Sequence, residues 1–400
     1  MRRHLLLALV VCAAAVAAGA AAPSVEQFIA RHWRTPLAPQ GPAPASFSLL
    51  EASLDPESCG TCHPAQLADW RTSLHARTMG PGVAGQLVEM LTRAPGDALG
   101  CYTCHAPLAE QRPLLGREAR HAPNPVLDPA LRAEGLVCAA CHVRAHERFG
   151  PPRPDGSVAN SGPREDLPHG GATRTRAFLA AEFCRSCHQF ASNGFALNGK
   201  LLENTYAEWK ASRFAREGVQ CQDCHMPDRR HLWRGIHDPE MVRSGLTITA
   251  RLDGADVRRG GPVSATLTVT STRVGHAFPT YVTPRVLLRG ELVDEAGAVI
   301  KGSLLERVVA REVALDLSRE VRDTRLMPGR SVELRYRKRV DAAGARLKFT
   351  VIVEPDAFYT KFFETLLAQG AGKGAAQLQQ ALEDTRRSPF TIFEQILSLP

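Results

Sequence analysis

The sequence predicts a mixed fold: a mostly α and irregular domain over residues 21–243, a β-sandwich over 244–354 and C-terminal helices over 355–400. Three observations carry this. Five short Cys-x-x-Cys-His stretches lie in the first region, starting at 59, 101, 138, 184 and 221, among many glycines and prolines. After Arg243 the cysteines stop and apolar residues alternate with period two. From Phe358 the spacing returns to three and four.

Residues 1–20 precede these regions and read as a secretory signal. Met1-Arg2-Arg3-His4 is a basic start, Leu5 to Ala22 is apolar, and Ala18-Gly19-Ala20 offers a small-residue cleavage site. Cleavage after Ala22 would leave Pro23 first, so cleavage after Ala20 fits better. An uncleaved N-terminal membrane anchor is the alternative, since the apolar run nearly spans a bilayer. Cys12 follows Val11, where a lipoprotein signal wants a small residue. No other run is apolar and long enough to cross a membrane.

The five stretches are Cys59-Gly-Thr-Cys62-His63, Cys101-Tyr-Thr-Cys104-His105, Cys138-Ala-Ala-Cys141-His142, Cys184-Arg-Ser-Cys187-His188 and Cys221-Gln-Asp-Cys224-His225. Two thiols three positions apart on one helical turn can add across the two vinyl groups of a haem. The following histidine then lies under the macrocycle and offers a nitrogen to iron. A lone Cys-x-x-Cys reads as a redox disulfide or half a zinc site. The trailing histidine argues against both: with 14 histidines in 400 residues, five chance hits have a probability on the order of 10⁻⁸. The motifs use ten of the 11 cysteines and leave none for structural disulfides. The cofactors expected are five haem c groups with their iron, held by those ten cysteines and by His63, His105, His142, His188 and His225.

Intervals of 42, 37, 46 and 37 residues leave little room for a protein core between macrocycles. The first region is therefore a multihaem domain whose stacked cofactors form its core. Val25, Phe28, Ile29 and Trp33 mark a short amphipathic helix, with His32 structural, and Pro36–Pro44 reads as a linker. The formal charge of +8 falls to +6 without Arg2 and Arg3. It is concentrated after Ser244, with 23 basic against 18 acidic residues. Five haems, each with two propionates, would make the first region net negative. Nucleic acid is not an expected partner, since no motif for it is present.

Cys59-Gly-Thr-Cys62-His63, followed by Trp70-Arg-Thr-Ser73-Leu-His75-Ala76, resembles the opening of the tetrahaem cytochrome c-554 family, which is related to hydroxylamine oxidoreductase. The resemblance runs through Gly135–His142 and Glu182–His188 and covers roughly residues 55–190. It implies that His75 is an axial ligand to a haem. The fifth motif, in Gly218–Pro227, departs from a four-haem chain and looks like the last motif of larger multihaem cytochromes.

Eight further mature histidines compete for at most five distal positions: His32, His75, His121, His146, His169, His231, His237 and His276. His169 sits in Pro168-His169-Gly170-Gly171, where backbone can approach a ring closely. His231-Leu-Trp233-Arg-Gly235-Ile-His237 resembles a ligand-bearing segment of multihaem relatives, with His237 the favoured ligand. His146 is too near His142 to reach the far face of the same haem but can serve a neighbour. His276 lies in Gly275-His276-Ala277-Phe278-Pro279-Thr280, which resembles a Gly-His-x-Phe-Pro-Thr motif in the β-domain of some multihaem cytochromes. There a glycine usually follows; here Tyr281 does. His276 is expected to reach back to a haem and pin the two domains together. Met79, Met90, Met226, Met241 and Met327 are weaker candidates while histidines are spare. Trp70, Trp209 and Trp233 are expected to pack on porphyrin.

Leu246–Leu252, Val263–Val269, Val286–Val293, Leu304–Val313, Val332–Tyr336 and Leu347–Val353 are the strand candidates of a sandwich of about seven strands. Phe358, Phe362, Leu366 and Leu367 form a helical stripe ended by Gly370. Ser388 and Pro389 resemble a cap before a second helix carrying Phe390, Phe393, Ile396 and Leu397. Arg335-Tyr-Arg-Lys-Arg339 is a basic strand or edge, solvated or a docking patch for an acidic redox partner.

The functional expectation is an exported, periplasmic electron carrier serving periplasmic or membrane-associated redox proteins through mostly bis-histidine haems. The alternative is an enzyme of a small nitrogen or sulfur oxyanion at one five-coordinate haem. No Cys-x-x-Cys-Lys occurs, and no catalytic residue is assigned.

Overall fold

The computed structural model describes residues 24–117, 120–158, 164, 166–254, 261–340 and 344–399. The expected signal and Cys12 lie outside these. No helix among the described residues is long and apolar enough to cross a membrane.

The first region is built from short pieces. Helix α1 (Val25–His32) is closed by a reciprocal cap between Ser24 and Gln27 and buries Phe28, Ile29 and His32. The Pro-rich segment after it is docked: Leu37 is buried and the Gln40 amide donates to the Glu110 carboxylate at 2.6 Å. Helix α2 (Pro81–Arg93) leads into α3 (Pro95–His105), which ends on the second motif. The first, third and fifth motifs begin in or occupy five-residue helices at Pro56–Gly60, Cys138–His142 and Cys221–His225, and the fourth begins in a 3₁₀ turn at Ala181–Ser186. Helix α4 (Thr205–Lys210) buries Trp209, whose indole nitrogen donates to the Val219 carbonyl at 2.9 Å. Buried apolar side chains here fall into separate small groups around Leu108, Tyr102 and Phe28. No continuous core connects them, as the motif spacing implied.

The second region is a two-sheet sandwich. Strands β1 (Leu246–Leu252), β2 (Pro262–Ser271), β3 (Arg285–Val293), β4 (Leu305–Val313), β5 (Glu320–Asp323), β6 (Ser331–Arg339) and β7 (Arg346–Glu354) follow in order. One sheet runs β6-β2-β1 and the other β5-β4-β3-β7, all antiparallel. Alternation sets the register. Val263, Ala265, Leu267 and Val269 of β2 meet Leu347, Phe349, Val351 and Val353 of β7 in one core, nearly all wholly buried. The basic strand β6 lies at an edge, where exposed charges discourage strand addition.

Helices α5 (Ala357–Gln369) and α6 (Ala375–Arg387) do not extend the sandwich; they fold back onto α2 of the haem-motif region. The approach is close: a Cβ on Gly374 would collide with the Gly85 carbonyl. The expected second helix at the C terminus is instead strand β8 (Phe390–Ser398), paired antiparallel to β7, so the sandwich has eight strands among the described residues. The register slips at Val351/Ile352, where Ile392 is the extra residue. That bulge turns period two into the spacing Phe390, Phe393, Leu397, which imitates a helical stripe.

Buried polar contacts lock the two regions together. Arg311 of β4 is 1% exposed; it pairs with Glu320 at 2.9 Å and donates to the carbonyls of Leu197, Lys200 and Leu201. Arg325 pairs with Glu208 of α4 at 2.9 Å, and the same Glu208 accepts the Ala277 amide at 3.1 Å. Lys200 bridges Asp323 and Glu320 at 2.7 and 2.8 Å.

Candidate haem sites

All ten described cysteines are unpaired thiols. Among the described residues no group of three or more His, Cys, Asp or Glu is disposed to hold a metal ion, so the motifs do not converge into zinc centres.

The histidines sort by which ring nitrogen the protein occupies. His105 Nδ1 donates to the Thr78 carbonyl at 2.7 Å, His142 Nδ1 to Phe149 at 2.8 Å and His225 Nδ1 to Arg234 at 2.6 Å. Three histidines outside the motifs do likewise: His169 to Gly171 at 3.0 Å, His231 to Arg229 at 3.1 Å and His276 to Ala277 at 2.9 Å. A carbonyl only accepts, so the proton sits on Nδ1 and Nε2 keeps its lone pair for a metal. Burial also lowers the pKa of His105, His142, His225, His231 and His276. His142 and His225 fall to about 4, and His75 to about 3, with His188 and His225 adding to its shift. They are neutral at neutral pH, the form that binds iron.

Three imidazole pairs face one another at one separation. His188 and His75 stand 6.4 Å apart between ring centres, His142 and His231 6.2 Å, and His225 and His276 6.3 Å. A metal binds imidazole nitrogen at about 2 Å, and the ring centre lies about 1.1 Å behind that nitrogen, so two imidazoles on opposite faces of one ion stand about 6.3 Å apart. The residues therefore fit an iron between each pair.

His169 is tied to the segment that precedes the first motif. Its backbone N–H donates to Glu51 at 2.7 Å, and Glu51 lies in the turn Leu49–Ala52, which precedes the helix Pro56–Gly60 that carries Cys59. That amide and Ser48 hold the Glu51 carboxyl down at about 2. His231 is positioned by Asp69, which accepts its amide at 3.0 Å and takes Arg230 bidentately at 2.6 and 2.7 Å.

Two expected ligands are placed otherwise. His237 Nε2 is committed to both oxygens of Asp356 at 3.0 Å, so within its segment His231, not His237, faces a motif histidine. His146 Nε2 donates to the Gly41 carbonyl at 3.0 Å, using the nitrogen a metal would need. His32 is likewise engaged, with Nε2 on the Cys141 carbonyl at 2.8 Å. Both ring nitrogens of His121 are enclosed without a partner. Five described histidines outside the motifs thus keep Nε2 without a partner: His75, His121, His169, His231 and His276. None of them pairs with His105.

Contacts between motifs give their order in space. The Cys59 and Cys138 thiols are neighbours, as are those of Cys104 and Cys187 and of Cys184 and Cys221. Cys141 lies within electrostatic reach of Cys184 and Cys187. The first motif thus adjoins the third, the third the fourth, and the fourth both the second and fifth. Trp233, expected on a porphyrin face, stands edge-on to His75 at 4.7 Å and to His231 at 5.1 Å, between two ligand candidates. Trp70 donates to the Leu136 carbonyl at 2.8 Å.

Sequence reasoning missed Tyr281. It holds φ at 66°, the conformation that a glycine after Thr280 would take. Left-handed backbone costs a bulky residue roughly 1–2 kcal/mol.

Residues 58–143 match the family model "Cytochrome c554 and c-prime". A cytochrome c-552 of Aliarcobacter butzleri (strain RM4018) is 28% identical over 150 residues, 33% of this chain and 27% of that protein's length. The crystal structure of a penta-heme cytochrome c552 from Thermochromatium tepidum superposes with a TM-score of 0.60 at 16% identity. That match covers 87% of this chain and 99% of the other, which extends the shared fold across both regions. Motifs, free imidazole nitrogens and these likenesses agree in supporting a multihaem cytochrome c of the cytochrome c-552/c-554 type, with haem c and its iron as cofactor.

Proposed function

We propose that the protein is an exported electron carrier with five haems, working between periplasmic or membrane-associated redox proteins. The observation that carries this is the repeated imidazole separation of 6.2–6.4 Å. On this reading His231 completes the third haem site, His75 the fourth and His276 the fifth. His169, held by Glu51 in the segment ahead of the first motif, would complete the first with His63. Iron with two imidazoles has no position for a substrate and lacks the methionine that raises potential, which suits a low-potential carrier.

Electrons would pass from the first haem through the third to the fourth, where the path divides towards the second and fifth. Cys62 and Cys224 are exposed, so the first and fifth sites come nearest the surface and serve as terminals. The leader at residues 1–20 supports export, and covalent attachment to these motifs follows export.

A second reading is favoured by one observation: no free histidine pairs with His105 among the described residues. The second haem would then keep an open position, at which a small nitrogen or sulfur oxyanion can bind and exchange electrons with the path.

Intact mass with spectroscopy of the ferric protein tests both. The carrier predicts five haems, no free thiol and four low-spin irons that ignore added ligands. Four haems or fewer in fully matured protein would overturn it. The second reading requires one high-spin iron in addition.

A further inference from the structure

The fifth motif lies beside a basic cleft. Val219, two residues ahead of Cys221, donates its amide to the Phe214 carbonyl at 2.9 Å and accepts from Trp209 Nε1 at 2.9 Å. A Cβ on Gly275, next to His276, would lie 3.7 Å from the Phe214 side chain. The short turn Arg213–Arg216 is therefore fixed close to the pair His225 and His276. Arg213 donates to the Thr272 carbonyl at 3.0 Å, and its guanidinium lies over the Phe214 ring at 4.6 Å. Residues Met327 to Arg330 reach the same place: the Gly329 amide donates to the Ser271 carbonyl at 2.7 Å and the Ser271 amide to the Arg330 carbonyl at 2.9 Å.

Between these turns lies a cavity of about 320 Å³, lined by Ser212, Arg213, Arg216 and Met327 among others. Ser212 is 6% exposed, and its hydroxyl is enclosed without a partner among the described residues. A buried donor is costly unless something accepts from it. Met327 is 45% exposed, and Arg213, Arg216, Arg273 and Arg330 are exposed on the same face. The neighbouring acids are engaged. Glu208 pairs with Arg325 and accepts the Ala277 amide. Asp223 accepts the Gln220 amide at 2.7 Å. Glu217 is 3.9 Å from Arg213 in a pair solvated on both sides, which is weak. The face is thus net positive around an exposed methionine, and both residue types are enriched where proteins meet.

We propose that this face is the docking surface of an acidic redox protein, which exchanges electrons with the fifth haem and places one of its carboxylates in the cleft. The inference rests on the carrier reading and names the chemistry of one partner. The four arginines steer and orient an acidic surface. An apolar side chain of the partner covers Met327. Ser212, turned about its Cα–Cβ bond, donates its hydroxyl to the carboxylate. One electron moves at each encounter: the partner's centre is oxidised and one ferric iron becomes ferrous, or the reverse, with no bond made or broken. Charge alone does not select the place. Arg335, Arg337 and Arg339 of β6 are exposed too. In the pairing of β6 with β2, however, Ser331 meets Thr270 and Arg339 meets Pro262, so those arginines run away from the loop that carries His276.

The test uses the matured ferric protein with plant-type ferredoxin, an acidic one-electron iron–sulfur protein, as the probe. Binding of the oxidised probe, where no electron moves, should weaken about tenfold or more between about 10 and about 300 mM salt. Arg213→Glu, Arg216→Glu and Arg273→Glu should each weaken it about threefold to tenfold at low salt, with all haems attached and their spectra unchanged. Ser212→Ala should raise the concentration of reduced probe that half-saturates haem reduction about threefold to fivefold, with the limiting rate unchanged. A protein carrying both Arg335→Glu and Arg337→Glu should bind as the wild type does. Photoreduced deazariboflavin, a small neutral reductant, should reduce all of these proteins at one rate. No binding to the wild type at low salt, or equal binding in the three arginine variants, would overturn the docking surface and leave the carrier reading standing. Binding lost only in the β6 double variant would overturn it as well. Binding without haem reduction, in a protein that deazariboflavin does reduce, would overturn the redox role of the face. The carrier reading fails separately, by haem count and spin state.

Discussion

The imidazoles of His225 and His276 stand 6.3 Å apart between ring centres, their planes 15° from parallel. One belongs to a haem motif and the other to a β-sandwich. The loop approaches closely because residue 275 is glycine: a Cβ there would sit 3.3 Å from the Trp209 ring.

The first prediction follows from that pair. His276→Ala should leave five haems attached, convert one iron from low to high spin, and speed proteolysis near Gly245, where the regions join. Five unaltered haem spectra would remove His276 as a ligand.

Within the segment after the fifth motif, His231 and His237 should behave oppositely. His231→Ala should give one new high-spin iron. His237→Gln should leave the spectra alone, because that ring is held by Asp356. Asp69→Asn should act on the spectrum in the direction of His231→Ala but weakly, since Arg230 is largely solvated and its pairing with Asp69 is partly screened. A reversal of the first two results would restore His237 as the ligand.

This contrast marks how far the sequence could be read. The five motifs were legible because their chemistry needs adjacent residues. The sandwich was legible because β2 and β7 alternate without interruption. Which histidine meets which motif was not, because that depends on contacts between distant segments, such as Asp69 holding His231 across the fold. His237 was favoured over His231 in the sequence, His146 stood as a further candidate, and only their hydrogen bonds set them apart from His231. Strand β8 was misread because one bulged residue, Ile392, broke its period. Tyr281 stood out in the sequence only as a departure from a glycine, and its left-handed backbone required the fold.

Arg311 supplies a stability test. It is buried with Glu320 and satisfies carbonyls of the other region. Arg311→Ala should destabilise the protein by about 3 kcal/mol, since it leaves buried carbonyls unpaired and takes from Glu320 one of its two cations, Lys200 being the other. The urea midpoint should fall with all haem spectra intact beforehand. A change below about 1 kcal/mol would mean that water replaces the guanidinium.

The last prediction concerns pH. Burial alone would raise the Asp323 carboxyl, but Arg325 and Lys200 outweigh it and hold it below the ordinary value of 3.8. Its folded pKa is therefore depressed. Its contribution to docking is complete above pH 3.8 and declines as pH falls below that value towards the lowered one. Proteolysis at the joint should quicken below pH 3.8 in the wild type. Asp323→Asn should be cut faster already at neutral pH and lose part of this acid response. Identical profiles for the two proteins would exclude Asp323 as the titrating group.

The two regions differ in what they can do unaided. The sandwich carries a continuous apolar core, whereas the haem-motif region has only separate small groups. On a chain made from the N terminus, the thiols emerge well before the strands that cover them. Each Cys-x-x-Cys-His would therefore stay accessible to the attachment machinery until a haem is in place, and the late-made sandwich would close over a finished array. The order of synthesis thereby becomes a maturation clock. A chain with its first four motifs filled and Cys221 and Cys224 replaced should still form the sandwich, seen as protease-resistant residues 246–398, but should fail to dock it.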